Sequence, residues 1–416
     1  MSVLKTIKVK INTVEFLMYL LAIALSTLLL GYAPSGIALG IFIVFSLRYA
    51  FINKVKVKVD LPLLLPMLLY MVFVASLIWS VDKQETLKGL ERTIALILVP
   101  LAFICLPKLS TKEIKVVLNT FTISNFVLGI FFLIIAIFNF FKTKELSSFT
   151  YHDLVSVFDL NAIYVSLIFA VSLFYLVSLK QKTNKQKALI LFFLLFLFLL
   201  SSKTILFVVC IGVIIFIFRQ RNSSINKKRI VVVVMITSAV LAISSITLSE
   251  RFLFEKHTKF NEVLEQEKFG KVYYWTGSSI RLMQLRILKE QIEEEAILWK
   301  GFGLFASKRN VEERHQKFDT YFKFHKYNYH NQYAQILSET GILGCSLLLM
   351  MLITIWWRGV KTKNYLVIMF SIMMVLIFFT ESVLWRQRGL FLFIVFYSLF
   401  AHTIFDDKHL KLQSKS

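Results

Sequence analysis

The chain has 416 residues, 57% of them hydrophobic, and a mean hydropathy of +0.69. This composition excludes an ordinary soluble fold, because its apolar runs are long enough to cross a bilayer. A net charge of +23 would suggest nucleic-acid binding in a soluble domain. Here 25 Lys and Arg fall at the two ends of the chain and in every second connection, against 8 in the short connections between. The positive-inside rule therefore puts both termini in the cytoplasm, and no nucleic-acid partner is expected.

Apolar runs bounded by charge predict an all-α, polytopic membrane protein with about 12 transmembrane helices. The predicted spans lie near residues 14–31, 34–52, 61–79, 89–106, 117–141, 160–180, 187–201, 204–218, 230–248, 333–357, 364–380 and 388–405. Four regions follow from this assignment. They are residues 1–248 with spans one to nine, a large and mostly helical periplasmic loop at 249–332, residues 333–405 with spans ten to twelve, and a cytoplasmic tail at 406–416.

Residues 249–332, here called the late loop, carry the only long connection and contain the helical stretch SSIRLMQLRILKEQIEEEAILWKGFG. Its apolar residues recur near helical spacing, so we expect a helix that lies as a lid or wall over the mouths of the spans. Ser278 or Ser279 is expected to cap the start of this helix, and Gly301 and Gly303 to end it.

Arg281 and Arg286 lie five residues apart on this helix, so only one of them can point squarely into a site. Arg281 falls in the expected first turn, where backbone N–H groups and the helix dipole favour a phosphate. The alternative for both is a solvated basic face paired with Glu290 or with the acidic run 293–295. We expect Arg281 to be the phosphate ligand and Arg286 to be the more exposed of the two.

Three further cationic or titratable residues are expected at the same membrane boundary. Lys203 occupies the tight turn LLSSKTIL between two apolar spans, where an ammonium is costly unless it is paired or faces water; snorkelling to the headgroups is the alternative. Arg92 lies one turn into the fourth span and could instead pair with Glu91 or Glu85. His152, beside an aspartate, could equally be a solvated loop histidine.

His330 directly precedes the tenth predicted span, in NYHNQYAQILSETGILG. Asn331 and Tyr333 follow it, and Glu339 lies on the next turns. Gly341 and Gly344 allow a close approach between helices. A structural histidine at the membrane interface is the alternative to a functional one.

Cationic groups and a neutral histidine at an outer membrane boundary suit the displacement of a diphosphate from a lipid-linked sugar by a hydroxyl. The cations would stabilise the charge that develops on the leaving diphosphate. The histidine, with an ordinary pKa near 6.5, would take the hydroxyl proton. The external loops show no Asp-x-Asp pair and no His/Asp ligand cluster, and the three cysteines have no paired spacing. No cofactor, metal or disulfide is therefore predicted.

The pattern resembles the O-antigen ligase and polymerase superfamily of bacterial envelope glycan enzymes. The resemblance rests on HNQYAQILSETGILG, on RLMQLRILKEQIEEEAILWKGFG, on LLSSKTIL and on LIWSVDKQETLKGLERT. It implies a fold similar to C-type glycosyltransferases, a site facing the periplasm of the bacterial inner (cytoplasmic) membrane, and metal-independent, inverting transfer. Lys203 stands where the family usually has arginine, and a lysine cannot make the same bidentate contact with phosphate.

By this resemblance, His330 would be the catalytic base of an O-antigen ligase, and Arg281 and Lys203 would bind the diphosphate. The donor would be an undecaprenyl-diphosphate-linked glycan. The acceptor would be a lipid A-core sugar for a ligase, or another glycan chain for a polymerase, which is the alternative within the superfamily. The remaining candidate substrate-binding residues are Arg286, Arg92, His152, Asn331, Tyr333 and Glu339. A transporter or lipid-linked glycan flippase is the alternative from another class, although paired Gly/Pro-broken spans are not evident.

Overall fold

The computed structural model describes residues 11–56, 60–220, 256–270 and 273–405. These residues form helices joined by turns, and they contain no β-strand. In chain order the α-helices are α1 Val14–Ser26, α2 Tyr32–Asn53, α3 Leu61–Ser76, α4 Lys83–Thr93, α5 Ala95–Ile104, α6 Thr111–Thr143, α7 Tyr151–Leu154, α8 Ala162–Ser178, α9 Asn184–Leu199, α10 Lys203–Gln220, α11 Phe260–Glu265, α12 Gly277–Glu294, α13 Ser307–Lys317, α14 Gln332–Lys361, α15 Tyr365–Phe378 and α16 Gln387–His402. The all-α prediction is confirmed for the described residues.

Helices occupy eleven of the predicted spans, and the ninth, at 230–248, lies outside the described residues. Three helices, α2, α6 and α14, are long and apolar enough to cross a membrane. Five shorter apolar helices, α1, α3, α8, α15 and α16, accompany them. The fourth predicted span is divided into the charged α4 and the apolar α5. The chain thus has the character of a multi-pass membrane protein, and the number of spans stays a prediction.

The outer faces of the long helices are apolar. On α2, Ile37, Val44 and Phe51 are all exposed and recur every seven residues, so they form one stripe. A soluble protein would not leave such a stripe in water, whereas hydrocarbon accommodates it. Inside the bundle, α14 packs against α3 and α15, and α1 packs against α2 and α6. These contacts place the core between helices whose other faces suit lipid.

The described part of the late loop has a hydrophobic core of its own. Met283 and Ile287 from α12 pack with Val311 of α13 and with Phe318 and Tyr329. A side chain of α13, Arg314, binds three carboxylates of α12 and its end. The loop is therefore a folded layer, and α12 contacts α14 at the entry to the bundle.

The expected ends of the loop helix were wrong. Thr276, whose side chain accepts a hydrogen bond from the N–H of Ser279, caps α12 in place of Ser278 or Ser279. The helix ends at Glu294, before either glycine. Arg281 consequently lies in the second turn, away from the unpaired N–H groups of the first.

Candidate active site

A break in α14 organises the site. Gly341 has φ 64° and ψ −160° inside the helix, a conformation that essentially only glycine adopts. The segment 298–304 crosses the break and pairs with its backbone. The N–H of Phe302 donates to Ser338 O at 2.9 Å, that of Gly303 to Glu339 O at 2.9 Å, and that of Ile342 to Leu298 O at 2.8 Å. These bonds satisfy two carbonyl groups and one amide group of α14 at the break.

Two glycines allow the backbones to touch at this crossing. A Cβ at Gly341 would lie 2.3 Å from the carbonyl carbon of Trp299, and a Cβ at Gly301 would lie 2.4 Å from that of Glu339. The predicted close approach is thus between a loop and a helix, not between two helices. At Gly344 the nearest neighbour is Thr340 of the same helix. The expected close approach is therefore found at Gly341 with a loop segment as its partner, while a Cβ at Gly344 would also lie 3.8 Å from Leu69 of α3.

The other side of segment 298–304 binds the connection between α3 and α4. The N–H of Val81 donates to Phe302 O at 3.0 Å, and the indole N–H of Trp79 donates to Lys300 O at 2.7 Å. The hydroxyl of Thr86 donates to Leu304 O at 2.9 Å. This connection and segment 298–304 belong to separate sequence blocks that carry the superfamily resemblance, and they meet in one layer against α14.

Glu339 lies at this crossing and is 1% exposed. Its Oε1 accepts hydrogen bonds from Gln335 Nε2 at 2.5 Å, from the Trp385 indole at 3.0 Å and from Ser307 Oγ at 3.4 Å. A buried carboxyl needs such donors to offset its desolvation. These contacts join α14, α13 and the turn before α16, so the geometry gives Glu339 a structural position.

His330 sits in the turn before α14 with φ 47°, a left-handed conformation, and its side chain is 25% exposed. Its Nδ1 lies 3.6 Å from Oε2 of Glu381, which is itself buried. The backbone N–H of His330 donates to Asn328 Oδ1 at 3.0 Å, and its ring packs edge-on against Tyr327. The imidazole is therefore held by its turn, by one ring and by one carboxylate, with part of its surface open.

The neighbouring Tyr329 anchors this turn. It is fully buried, and its hydroxyl lies 2.7 Å from Oε1 of Gln291, to which it donates, and 2.6 Å from the Ser338 hydroxyl. Burial raises the pKa of Tyr329, so the phenol stays neutral. Gln291 belongs to α12 and Ser338 to α14, so the Tyr329 side chain connects the turn that carries His330 to both helices.

The turn at Thr380 and Glu381, after α15, brings the main candidates together. Arg281 Nε donates to Thr380 O at 3.1 Å. The hydroxyl of Thr204, next to Lys203 at the start of α10, lies 3.2 Å from the Thr380 hydroxyl. Glu381 faces His330. Groups from α10, α12 and the turn before α14 thus converge on two consecutive residues.

Arg281 retains hydrogen-bonding capacity at this turn. Its Nη1 donates to Gly277 O at 3.2 Å, and its Nε to Thr380 O. Its Nη2 donates to no residue in the part of the chain that the structure describes. The guanidinium is therefore fixed by two bonds, with one nitrogen left for an anion.

Arg286 is engaged within the late loop. Its Nη1 donates to the carbonyls of Val263 at 3.0 Å and Gln266 at 2.7 Å, and the guanidinium lies 4.3 Å from the centre of the Phe318 ring. Its Nε approaches Glu290 at 3.5 Å, the pairing that the sequence offered as an alternative. The arrangement brings Arg281, not Arg286, to the Thr380–Glu381 turn.

Asn331 and Tyr333 hold the start of α14. The Asn331 side chain caps the helix, accepting from the N–H of Ala334 at 3.0 Å. The Tyr333 hydroxyl donates to Val375 O at 3.1 Å, and its ring packs on Phe379. Both residues therefore fix the helix that follows His330.

His152 and Arg92 make contacts on other elements of the fold. His152 Nδ1 accepts a hydrogen bond from the N–H of Ala162 at 3.3 Å, at the start of α8. The Arg92 guanidinium lies 5.5 Å from the centre of the Phe305 ring, which stacks on Trp385 at 4.3 Å. Glu85, a proposed partner of Arg92, binds Lys88 and Lys308 instead. The Lys308 hydrogen bond, followed by that of Lys88, lowers the pKa of Glu85 to about 2.

Glu381 is the residue that sequence reasoning missed. It stands in the short connection FFTESVLWRQRG between the last two spans, which reads as an ordinary polar turn. An acidic residue beside an apolar span, with no compensating charge next to it, was the signal that could have identified it. Among the described residues no three His, Cys, Asp or Glu side chains form a metal-binding group, and the absence of a cofactor stays a prediction.

Comparison with known proteins identifies the region that contains most of this site. No curated protein matches the chain. Residues 188–349 match the family described as O-antigen ligase. The matched region includes Lys203, Arg281, His330, Glu339 and Gly341, whereas Glu381 lies beyond it. Residues 188–349 thus form an O-antigen ligase region, in agreement with the resemblance that the sequence blocks indicate.

Proposed function

We propose that this protein is an O-antigen ligase. In this proposal it transfers a glycan from undecaprenyl diphosphate to a hydroxyl of a lipid A-core sugar, at the periplasmic face of the bacterial inner membrane. The O-antigen ligase region supports glycosyl transfer of the ligase or polymerase type. The observation that carries the site assignment is the convergence of Arg281, His330 and the start of α10 on the Thr380–Glu381 turn.

The reaction makes one bond and breaks one. The acceptor oxygen attacks the anomeric carbon of the glycan, and the bond from that carbon to the diphosphate oxygen breaks. The bonding electron pair leaves with undecaprenyl diphosphate, and the hydroxyl proton passes to His330. Attack opposite to the leaving group inverts the anomeric centre, as the superfamily resemblance implies.

His330 acts as the general base, and Glu381 positions it. Because Nδ1 faces the Glu381 carboxylate at 3.6 Å, that nitrogen carries the proton in the neutral ring and Nε2 is the nitrogen that accepts. The carboxylate also stabilises the imidazolium formed as the hydroxyl is deprotonated. A positioned base of this kind contributes roughly 10² to 10⁴ in rate.

Arg281 and Lys203 stabilise the leaving diphosphate. The bonds from Arg281 to Gly277 O and Thr380 O fix its guanidinium and leave Nη2 for a phosphate oxygen. Lys203 is the first residue of α10, next to Thr204, which contacts the same turn. Fixed cations in a sheltered site stabilise developing charge without reorganisation. Arg286, His152, Asn331, Tyr333 and Glu339, given their contacts, shape the site rather than meet the diphosphate.

The decisive experiment is complementation of a deletion strain of the parent organism, with surface lipopolysaccharide resolved on a gel and membrane levels of each variant measured. We expect His330→Ala to abolish long-chain banding and the matched control His257→Ala, an exposed histidine of the late loop, to retain it. Accumulation of long glycan on the lipid carrier indicates loss of ligase activity. A single repeat unit on the core would instead assign a polymerase, and normal banding in His330→Ala would end the base assignment.

The charge assignments need their own variants. Arg281→Ala and Lys203→Ala should abolish transfer, while Lys203→Arg should retain it because arginine keeps the charge and its planar fork can bind a phosphate in a bidentate way. Glu381→Gln should lower the rate, since the carboxylate orients His330 and stabilises the imidazolium that forms on it. Full activity in Arg281→Ala would remove its diphosphate role.

A further inference from the structure

A groove opens on the bundle beyond the Thr380–Glu381 turn. It encloses about 660 Å³ between α2, the α4–α5 junction and the start of α16. That size lies within the usual range of ligand pockets. Its lining includes Arg92 and Arg386 but none of Arg281, Lys203 and His330.

The lining changes from charged to apolar along the groove. Arg92 stands where the charged α4 meets the apolar α5, and Arg386 directly precedes the apolar α16, so both mark the same boundary of the bundle. Further along the same helices the walls are Ile43, Leu98 and Phe391. A lipid has this order of groups, with an anionic head at the boundary and chains below it.

Arg386 is available to a ligand. Its neighbour Gln387 donates to Tyr32 O at 2.9 Å, and Arg388 donates to Leu28 O at 3.2 Å and lies over the Tyr32 ring. These contacts pin the start of α16 to α2. Within the described ranges the Arg386 side chain forms neither a hydrogen bond nor an ion pair. The lining also contains Glu91, so its two arginines and one carboxylate give it a net charge of +1.

We propose that this groove binds a phosphorylated lipid, with its phosphate between Arg92 and Arg386 and its chains along α2 and α5. Charge complementarity and the polar-to-apolar order of the lining select this occupant. The identity of this lipid rests on the proposed function, in which it is the phosphorylated glycolipid that accepts the glycan. The turn from Glu381 to Arg386 then joins the two lipid sites, since its first residue faces His330 and its last faces the groove.

Gly36 and Gly40 of α2 provide the means to test the groove by filling it. A Cβ at Gly40 would meet no atom within 4 Å, and one at Gly36 would meet only Gln387 Nε2 at 3.4 Å. Gly40→Leu therefore places a side chain in the open space without displacing the fold. Arg48→Gln, which removes an exposed arginine at the other end of α2, is the matched charge control.

The experiment uses the full chain in phosphatidylcholine nanodiscs and a phosphatidic acid with a photoreactive group on one acyl chain. Labelled peptides are then mapped by mass spectrometry. We expect labelling within 36–43 and 94–98, stronger by about ten-fold than with the phosphatidylcholine of the same chains, because the phosphate of phosphatidic acid carries net negative charge that no ammonium group of the lipid neutralises. The double variant Arg92→Gln/Arg386→Gln and Gly40→Leu should both lower labelling to the phosphatidylcholine level, and Arg48→Gln should not.

Several outcomes would overturn the proposal. Equal labelling by both lipids, or labelling unchanged in both groove variants, would mean annular lipid. Competition by millimolar inorganic phosphate alone would mean an anion site without a lipid. Labelling lost in Arg281→Ala but kept in the Arg92/Arg386 double variant would move the phosphate to the other site. A change of oligomeric state in Gly40→Leu with unaltered labelling would make the groove a helix-packing face. Labelling does not depend on glycan transfer, so this result and that of the complementation assay can fail separately.

Discussion

Replacement of Gly341 by alanine tests whether the crossing at the α14 break holds the site together. At φ 64° and ψ −160° an alanine is strained by about 1–3 kcal/mol. Its Cβ would also fall 2.3 Å from the carbonyl group of Trp299, which is backbone and cannot rotate away. Segment 298–304 must then shift, and the three backbone hydrogen bonds across the break weaken together.

Each of those hydrogen bonds contributes roughly 0.5–1.5 kcal/mol net. With the strain, the expected loss of stability is about 3–7 kcal/mol, a large part of the total for most domains. Gly270→Ala is the matched control, because Gly270 also has a positive φ, of 68°, but a Cβ there would meet no atom within 4 Å. Its cost should be limited to backbone strain of about 1–2 kcal/mol.

The assay is thermal unfolding of both purified variants in the same detergent, followed by size-exclusion chromatography, alongside glycan transfer in cells. Gly341→Ala should unfold well below Gly270→Ala and lose transfer, since Glu339 and the start of α14 move with the crossing. If the two variants unfold at the same temperature, the crossing contributes no more than local strain and the reasoning fails.

Four further outcomes are expected. Burial lowers the pKa of His315 to about 4, below its unfolded value of about 6.5. The folded loop therefore binds fewer protons than the unfolded chain between these two pH values. The free energy of unfolding should be highest above about pH 6.5 and fall by about 3 kcal/mol as the pH falls towards 4. His315→Gln should flatten that dependence in pH-resolved melting curves. Arg314→Ala leaves three carboxylates without this partner and should lower the free energy of unfolding by about 2–4 kcal/mol in the same assay. Arg314→Lys should lower it by less, because the charge is kept. Tyr329→Phe removes the contacts of one hydroxyl with α12 and α14, so transfer should slow by about ten-fold while expression is kept. A chelator should leave transfer by the purified protein intact; loss that a divalent ion restores would contradict the metal-independent mechanism.

The helices were predictable because the bilayer imposes a local rule. An apolar run bounded by charge must satisfy its own backbone hydrogen bonds, so it forms a helix whatever its neighbours do. That rule placed helices at eleven of the spans, and it placed Lys203 at the tight turn and His330 directly before α14. Both positions depend only on where an apolar run begins.

The crossing and Glu381 were not predictable in the same way. The glycines of WKGFG read as the end of a helix that in fact ends at Glu294, because the pairing of segment 298–304 with α14 joins residues about 40 positions apart and leaves no local period. The carboxylate of Glu381 acquires its meaning only from the fold, which sets it beside a histidine 51 residues earlier. Sequence motifs indicated the cations and the histidine of the proposed site, and the tertiary contacts added Glu381, which faces that histidine.

The relative position of His330 and Arg281, the proposed base and the proposed diphosphate ligand, follows from one rigid element. Helix α12 carries Arg281 and, ten residues later, Gln291, which the hydroxyl of Tyr329 binds. Because Tyr329 directly precedes His330, the distance between Arg281 and His330 is set by three turns of helix and one hydrogen bond rather than by a free loop. The bond of Arg281 to Thr380 O and the approach of Glu381 to His330 close this path from the other side. The proposed transfer between two lipid-borne substrates requires such fixed spacing, since misplacement of a reacting group by about 1 Å can cost 10²-fold in rate.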